Sequence, residues 1–161
     1  MAALAQEGDA GDGPNSPATA GQLIISEFRL VGPNGPSDEF VELYNNSGAT
    51  HTVAASDSSA GYAVVASDGT LRCTIPNGTV IPNRGHFLCA NSVGYSLSGY
   101  ATADAAYTTD IPDDAGIALF NTANAANFTL ANRLDAVGPT NEANALYREG
   151  TGYPTLTPFL I

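Results

Sequence analysis

Residues 22–48, QLIISEFRLVGPNGPSDEFVELYNNSG, decide how this chain is read. Gln22 to Leu30 is β-branched and apolar, which suits a first strand. Val31 to Ser37 carries two prolines and an Asn-Gly pair, so it turns. From Asp38 to Asn46 the side chains alternate. Phe40, Glu42 and Tyr44 fall on one face; Val41, Leu43 and Asn45 fall on the other. Asn46-Ser47-Gly48 ends this second strand.

The same punctuation continues outward. His51 to Ala60 is small and polar, a loop or weak edge strand. Tyr62 to Ala66 and Thr70 to Ile75 flank Ser67-Asp68-Gly69 and read as a tight hairpin. Gly85 to Ala90, Ala115 to Asn121 and Asn132 to Val137 are further strands, and Thr122 to Ala131 is a hairpin connection with a helical turn. Asn91 to Pro112 is a long connection. The spacing predicts about seven strands and no long helix, hence an all-β sandwich. Ala2 to Gly21 has almost no large apolar side chain, so residues 1–21 are read as a flexible leader, 22–138 as the sandwich and 139–161 as an extended tail. In that tail Tyr147, Tyr153, Phe159 and Leu160 are too apolar for a free linker. They are expected to pack on the sandwich or on a neighbouring molecule, which would allow self-association. The expected core is Ile24, Phe28, Phe40 or Val41, Leu43, Ile75, Phe87, Ile117, Leu119 and Leu134.

With 161 residues, of which 43% are hydrophobic, the chain can bury one domain core. Five Arg, no Lys and sixteen acidic residues give a net charge of −11, which argues against nucleic acid as a partner. Nothing reaches the length of a membrane span. Cys73 and Cys89 are too few for a zinc site of their own. They form either a disulfide or two buried free thiols. A pair in a chain otherwise nearly free of sulfur favours the disulfide. Residues 1–20 lack the basic and apolar regions of a signal peptide, so the protein is either cytosolic or already without a leader.

The opening block resembles lamin tail domains, in particular those of exported bacterial proteins. The residues that carry the likeness are Ser26 and Glu27, then Glu39, Phe40, Val41, Glu42, Leu43, Tyr44 and Asn45. Two later blocks are similar in order and kind: TIPNGTVIPNRGHFLCAN at residues 74–91, and DDAGIALFNTA followed by RLDAVG. The likeness spans about residues 22–138. One departure is the absence of Trp; Gly61-Tyr62 stands where the family often has Gly-Trp, so Tyr62 is expected to serve as the core aromatic. The resemblance implies an immunoglobulin-like sandwich of the lamin-tail type, without catalysis, extracellular or on the cell surface. It leaves the ligand open.

Several residues could carry chemistry, and each also has a simpler role. Glu39 and Glu42 lie three apart in a strand, point to opposite faces and cannot act as one acid–base pair. Ser, His51 and His86 occur without a nucleophile elbow. Asp104, Asp110, Asp113 and Asp114 crowd the long loop and could offer oxygens to calcium, but the spacing is not that of an EF-hand, and Asp113-Asp114 also suit the turn before Ala115. Tyr95, Tyr100 and Tyr107 either stack on a sugar or pin the loop. Sequons at Asn45, Asn77 and Asn127 are expected by chance in this composition. The expected function is a non-catalytic extracellular or cell-surface domain that makes structural or protein contacts, with no cofactor. The alternative is a calcium- or carbohydrate-binding module that tethers a secreted enzyme.

Overall fold

The computed structural model describes residues 16–154. Ten strands follow one another: β1 (Leu23–Arg29), β2 (Phe40–Asn45), β3 (His51–Thr52), β4 (Gly61–Ala66), β5 (Leu71–Pro76), β6 (Val80–Ile81), β7 (His86–Asn91), β8 (Ala105–Tyr107), β9 (Ile117–Phe120) and β10 (Arg133–Val137). Seven of these have four or more residues, and they are the strands that the turn signals mark out. The three shorter ones lie in the polar 51–60 segment, in the approach to β7 and in the long connection.

The strands make a sandwich of two four-stranded sheets, β1-β2-β7-β8 and β10-β9-β4-β5, with β3 and β6 as a separate pair. All pairings in the large sheets are antiparallel except β7 with β8, where Cys89 aligns with Ala105. The turn from β4 to β5 places Gly69 at φ 82°, a conformation that costs glycine little.

Between the sheets lies a core that includes Leu23, Val41, Leu43, Tyr62, Val64, Ile75, Phe87, Ile117, Leu119 and Leu134. Tyr62 is fully buried there, as its position suggested. One expected core residue is corrected, and one alternative is resolved. Ile24 is half-buried and outside the core, because β1 carries a bulge between Ile25 and Glu27. Leu23 and Ile25 face inward before the bulge and Phe28 faces inward after it, so Ile24 and Phe28 cannot share a face. Of the Phe40/Val41 pair, Val41 enters the core. Phe40 instead joins Leu88 and Ala90 on the outer face of its sheet, covered by Tyr95, Leu97 and Ala103.

Order also begins before Gln22. Ala18 is buried, donates its N–H to the Tyr62 hydroxyl at 2.6 Å, and accepts from Asn121 Nδ2 at 3.1 Å. Gly21 N–H donates to the Leu134 carbonyl at 2.9 Å. Small side chains let this segment lie close against the sandwich. Residues 1–15 fall outside those described.

The segment after Gly138 is not simply extended. A 3-10 helix, Ala145–Tyr147, lays Leu146 and Tyr147 over Ala63, Val65, Ala118, Phe120 and Ala136, the outer face of the β10-β9-β4-β5 sheet. Tyr153 packs on Phe28, ring centroids 5.4 Å apart, and Pro139 bridges to Tyr153. Phe159 and Leu160 lie outside the described residues.

The two sheets are tied to each other on both sides. On one, Ile25 N–H donates to Asp135 Oδ2 at 2.7 Å, tying β1 to β10. On the other, Cys73 in β5 and Cys89 in β7 form a disulfide across the two sheets, with Cα atoms 6.2 Å apart. Bridged cysteines commonly have Cα atoms at such a separation. No free cysteine remains among the described residues.

Candidate functional site

Acidic residues are the raw material of any site in this chain, so their partners decide what each can do. Asp38 and Glu39 stand together just before β2, and both are fully buried. Asp38 faces the turn after β1. It ion-pairs with Arg29 and accepts N–H groups from Ser96 at 2.9 Å and Asn34 at 3.1 Å. Burial works to raise its pKa, but these donors and Arg29 outweigh burial and hold the carboxyl below the ordinary range. Asp38 thereby ties the 31–37 turn to the long loop.

Glu39 points the other way, into the end of the sandwich. Its Oε1 accepts Ile111 N–H at 2.8 Å and its Oε2 accepts Asn91 Nδ2 at 3.1 Å. The same Asn91 nitrogen donates to Asp110 Oδ1 at 2.8 Å. Beside them lies Arg72, whose side chain is wholly buried. It ion-pairs with Asp68 at 2.6 Å and donates to the carbonyls of Asp110 at 2.7 Å and Thr70 at 2.8 Å. Burial pushes the Tyr107 hydroxyl up, and the Glu39 charge adds to the rise. Arg72 Nε and the Tyr107 hydroxyl are buried without a hydrogen-bond partner among the described residues.

An open depression of about 310 Å³ lies nearby, lined by Ser67, Asp68, Asp114 and Glu142 among others. Two of its carboxylates are already committed. Asp68 pairs with Arg72, and Glu142 accepts N–H groups from Gly116 at 3.1 Å and Asn144 at 2.8 Å.

The four loop aspartates do not converge. Asp104 accepts Leu88 N–H at 2.8 Å beside β7, Asp110 serves Asn91, and Asp113 and Asp114 are exposed before Ala115. Among the described residues no three His, Cys, Asp or Glu side chains gather as a metal-holding group. The three tyrosines are likewise separated. Tyr95 packs edge-on against Phe40 at 6.1 Å, Tyr107 is buried, and Tyr100 stands 92% exposed. They share no stacking face. Of the sequon asparagines, Asn45 is buried with Nδ2 donating to the carbonyls of Ala49, Ile81 and Pro82, which fixes the end of β2. Asn77 Nδ2 donates to Ser59 O, and Asn127 Nδ2 to Asp57.

The described residues leave one strip of sheet bare. The long loop covers the Phe40–Ala90 half of the outer β1-β2-β7 face, and the half near Tyr44 and His86 stays open. The β1 bulge turns both Ser26 and Glu27 outward there. Ser26 Oγ donates to Glu42 Oε1 at 2.8 Å, and His86 Nε2 lies 3.8 Å from the same oxygen. The Tyr44 and His86 rings sit 5.1 Å apart. Glu27 is directly opposite Glu42 in the strand register, a like-charge pairing that works against sheet stability. The serine is bonded to the carboxylate and not to the imidazole, so this is no acyl-transfer triad. His51 binds the Tyr62 hydroxyl at 3.0 Å and is likewise far from that role.

Sequence reasoning named Glu39, Glu42 and Asp110 but missed Asn91, Arg72, Arg29 and Asp38. A usable signal existed. With five Arg among sixteen acids, any Arg near an apolar strand is a strong candidate for a fixed acidic partner. Among the described residues no helix is long and apolar enough to cross a membrane. No protein-family model matches the chain, and no curated protein matches it.

Proposed function

We propose that this protein is a non-catalytic sandwich module of an exported protein, which contacts a protein or cell-surface partner through the open strip Ile24–Ser26–Glu27–Glu42–Tyr44–His86. The observation that carries the reading is the allocation of side chains. The buried carboxylates are spent on backbone N–H groups, Asn and Arg inside the scaffold. The outer face of one sheet and half of the other are covered by the chain itself. The bare strip combines an aromatic ring, an imidazole and two carboxylates, one of them set against the other at a cost in stability. Aromatic residues with polar neighbours are the usual anchors of protein contacts. A disulfide across the sheets supports an oxidising compartment. The lamin-tail resemblance of residues 22–138 fits the same role, as analogy of fold.

A thermal-shift series tests the class of function. Calcium, EDTA and a glycan panel are each expected to leave the melting temperature unchanged. A rise of several degrees that saturates with calcium or a glycan would establish the ligand-binding alternative by linkage and displace this reading.

A further inference from the structure

The chain has five arginines, and four of them are committed to partners within it. Arg29 pairs with Asp38, Arg72 with Asp68 and Arg133 with Glu149, and Arg148 donates to the Thr140 carbonyl at 2.8 Å. Arg84 differs. It is exposed, and among the described residues its guanidinium meets neither a carboxylate nor a carbonyl. Its backbone is set apart too. Arg84 holds φ 62° as the third residue of the Pro82–Gly85 turn, which Gly85 N–H closes on the Pro82 carbonyl at 2.8 Å. Asn45 N–H donates to the Gly85 carbonyl at 2.9 Å, and Arg84 N–H donates to the Asn45 carbonyl at 3.2 Å, so two residues oppose one. The left-handed place in such a turn and bulge is ordinarily filled by glycine. A side chain held there costs stability that a glycine would not, and strain of this kind gathers where a side chain must be presented.

This turn stands at one end of the open strip. Tyr44 is opposite His86 in register, and Arg84 bonds to the next residue of β2, Asn45. At the other end Glu27 faces Glu42. Asn45 lies three residues beyond Glu42 in β2, about 10 Å at about 3.3 Å per residue. The strip therefore runs from two carboxylates through two rings to one guanidinium. Glu27 is exposed and meets no cation among the described residues, and Glu42 has only the His86 imidazole, at 3.8 Å.

That order fixes the kind of partner. A uniformly basic surface is repelled by Arg84, and a uniformly acidic one by Glu27 and Glu42. The partner must carry both signs, in reversed order and at the same spacing. A second copy of this chain turned about a two-fold axis does so by construction, because an isologous contact sets the same patch against itself. We propose that the strip pairs two copies of this chain, with Arg84 of each on the Glu27–Glu42 pair of the other and the Tyr44 and His86 rings meeting at the axis. The proposal rests on the reading of the strip as a contact surface and names its partner: identical modules on facing surfaces hold one another. The net charge of −11 on each copy opposes the approach. At about 0.15 M salt the Debye length is about 8 Å, which screens the distant charges and leaves pairs in contact. A patch of this size supports a weak, reversible dimer.

The test is sedimentation equilibrium of the full chain at about 0.15 M salt, from about 10 µM to about 1 mM, the range in which a weak dimer forms. The wild type is expected to dimerise as its concentration rises. Arg84→Glu and Glu27→Lys should each weaken the dimer by about tenfold or more, and an equimolar mixture of the two should recover it, because each reversed charge then meets the other. Arg84→Gly suits the local backbone and should lose the dimer alike. In the wild type, the amide NMR shifts that move with concentration should fall on Ser26, Tyr44 and His86, which decides the matter even where a variant folds poorly. A wild type that stays monomeric overturns the proposal. So do variants that dimerise as it does, a mixture that stays monomeric, or concentration-dependent shifts confined to other parts of the chain. Saturable cell binding through the strip by a protein that stays monomeric would overturn the second copy as partner and leave the contact surface standing; a dimer without such binding would do the reverse.

Discussion

The backbone carbonyl of Tyr147 lies where a methyl group on Gly116 would have to go. Gly116 leads into β9, and Tyr147 closes the 3-10 helix of the C-terminal segment. The absent side chain is thus what lets that segment dock. Gly138 makes the same allowance at the end of β10, where an added Cβ would meet the Tyr147 carbonyl at 2.5 Å. Small residues beneath the docked ring, Ala63, Ala118 and Ala136, keep the outer sheet face flat enough to receive it.

Gly116→Ala is therefore expected to lower unfolding free energy by about 1–3 kcal/mol, the usual cost of overpacking against backbone that cannot move. Removing residues 145–161 should cost more, because it uncovers Phe120 and its neighbours. Chemical denaturation measures both. If the truncated protein melts at the same denaturant concentration as the full chain, the C-terminal segment is not part of the fold.

The cross-sheet disulfide closes a loop with a sequence separation of 16. A loop of that size is worth roughly 3 kcal/mol in the chain-entropy account. Paired substitution Cys73→Ala with Cys89→Ala should lower stability by that order, and reduction of the wild type should do the same. Two thiols that react with Ellman reagent in the denatured, unreduced protein would contradict the bond itself.

Tyr62→Phe keeps the ring and removes one oxygen. Ala18 N–H then loses its acceptor inside the core, and His51 loses a partner. Leaving a buried N–H unsatisfied costs about 1–3 kcal/mol. Faster amide exchange at Ala18 should accompany the drop. Unchanged exchange there would mean that residues 16–21 do not depend on the ring.

The strands, the hairpin turn and the bridged cysteines were legible in the sequence because each rests on a local signal: alternation, Asp-Gly, or the scarcity of sulfur. What was illegible depends on distant partners. A bulge at Ser26 cannot be read from alternation, since Ile24 and Phe28 differ by an even number and look like one face. The composition around Ala18 reads as linker, and distant partners make it core: a tyrosine hydroxyl 44 residues away and the Asn121 amide. In the polar cluster, Glu39 and Asp110 were visible as acids. The amide that joins them sits at the end of a strand among many asparagines, and nothing local marks Asn91 out. The loop aspartates look clustered in sequence, but β8 and the turn before β9 send them to different sides.

Acid should weaken the contacts that Asp38 makes. Asp38 is held below the ordinary carboxylate value of 3.8, because the Ser96 and Asn34 donors and Arg29 together outweigh burial. The stability that it supplies is present above that value and is lost as the pH falls through its lowered folded pKa. Asp38→Asn should lower stability at pH 6 and leave less to lose below pH 4. Urea melts at the two pH values measure this. An equal deficit at both would show that the loss is one of packing and not of charge.

The functional reading stands or falls on the open strip of the β1-β2-β7 sheet. The direct measurement is saturable binding of labelled protein to intact cells of the organism that makes it, for wild type and for a variant carrying Glu27→Lys, Tyr44→Ala and His86→Ala. All three side chains lie outside the core, so the variant should melt near the wild type. The expected result is saturable binding by the wild type and at least a tenfold loss in the variant, the effect of removing about 1.4 kcal/mol or more of contact energy. Equal binding by the two proteins, or no saturable binding by the wild type, would contradict the account.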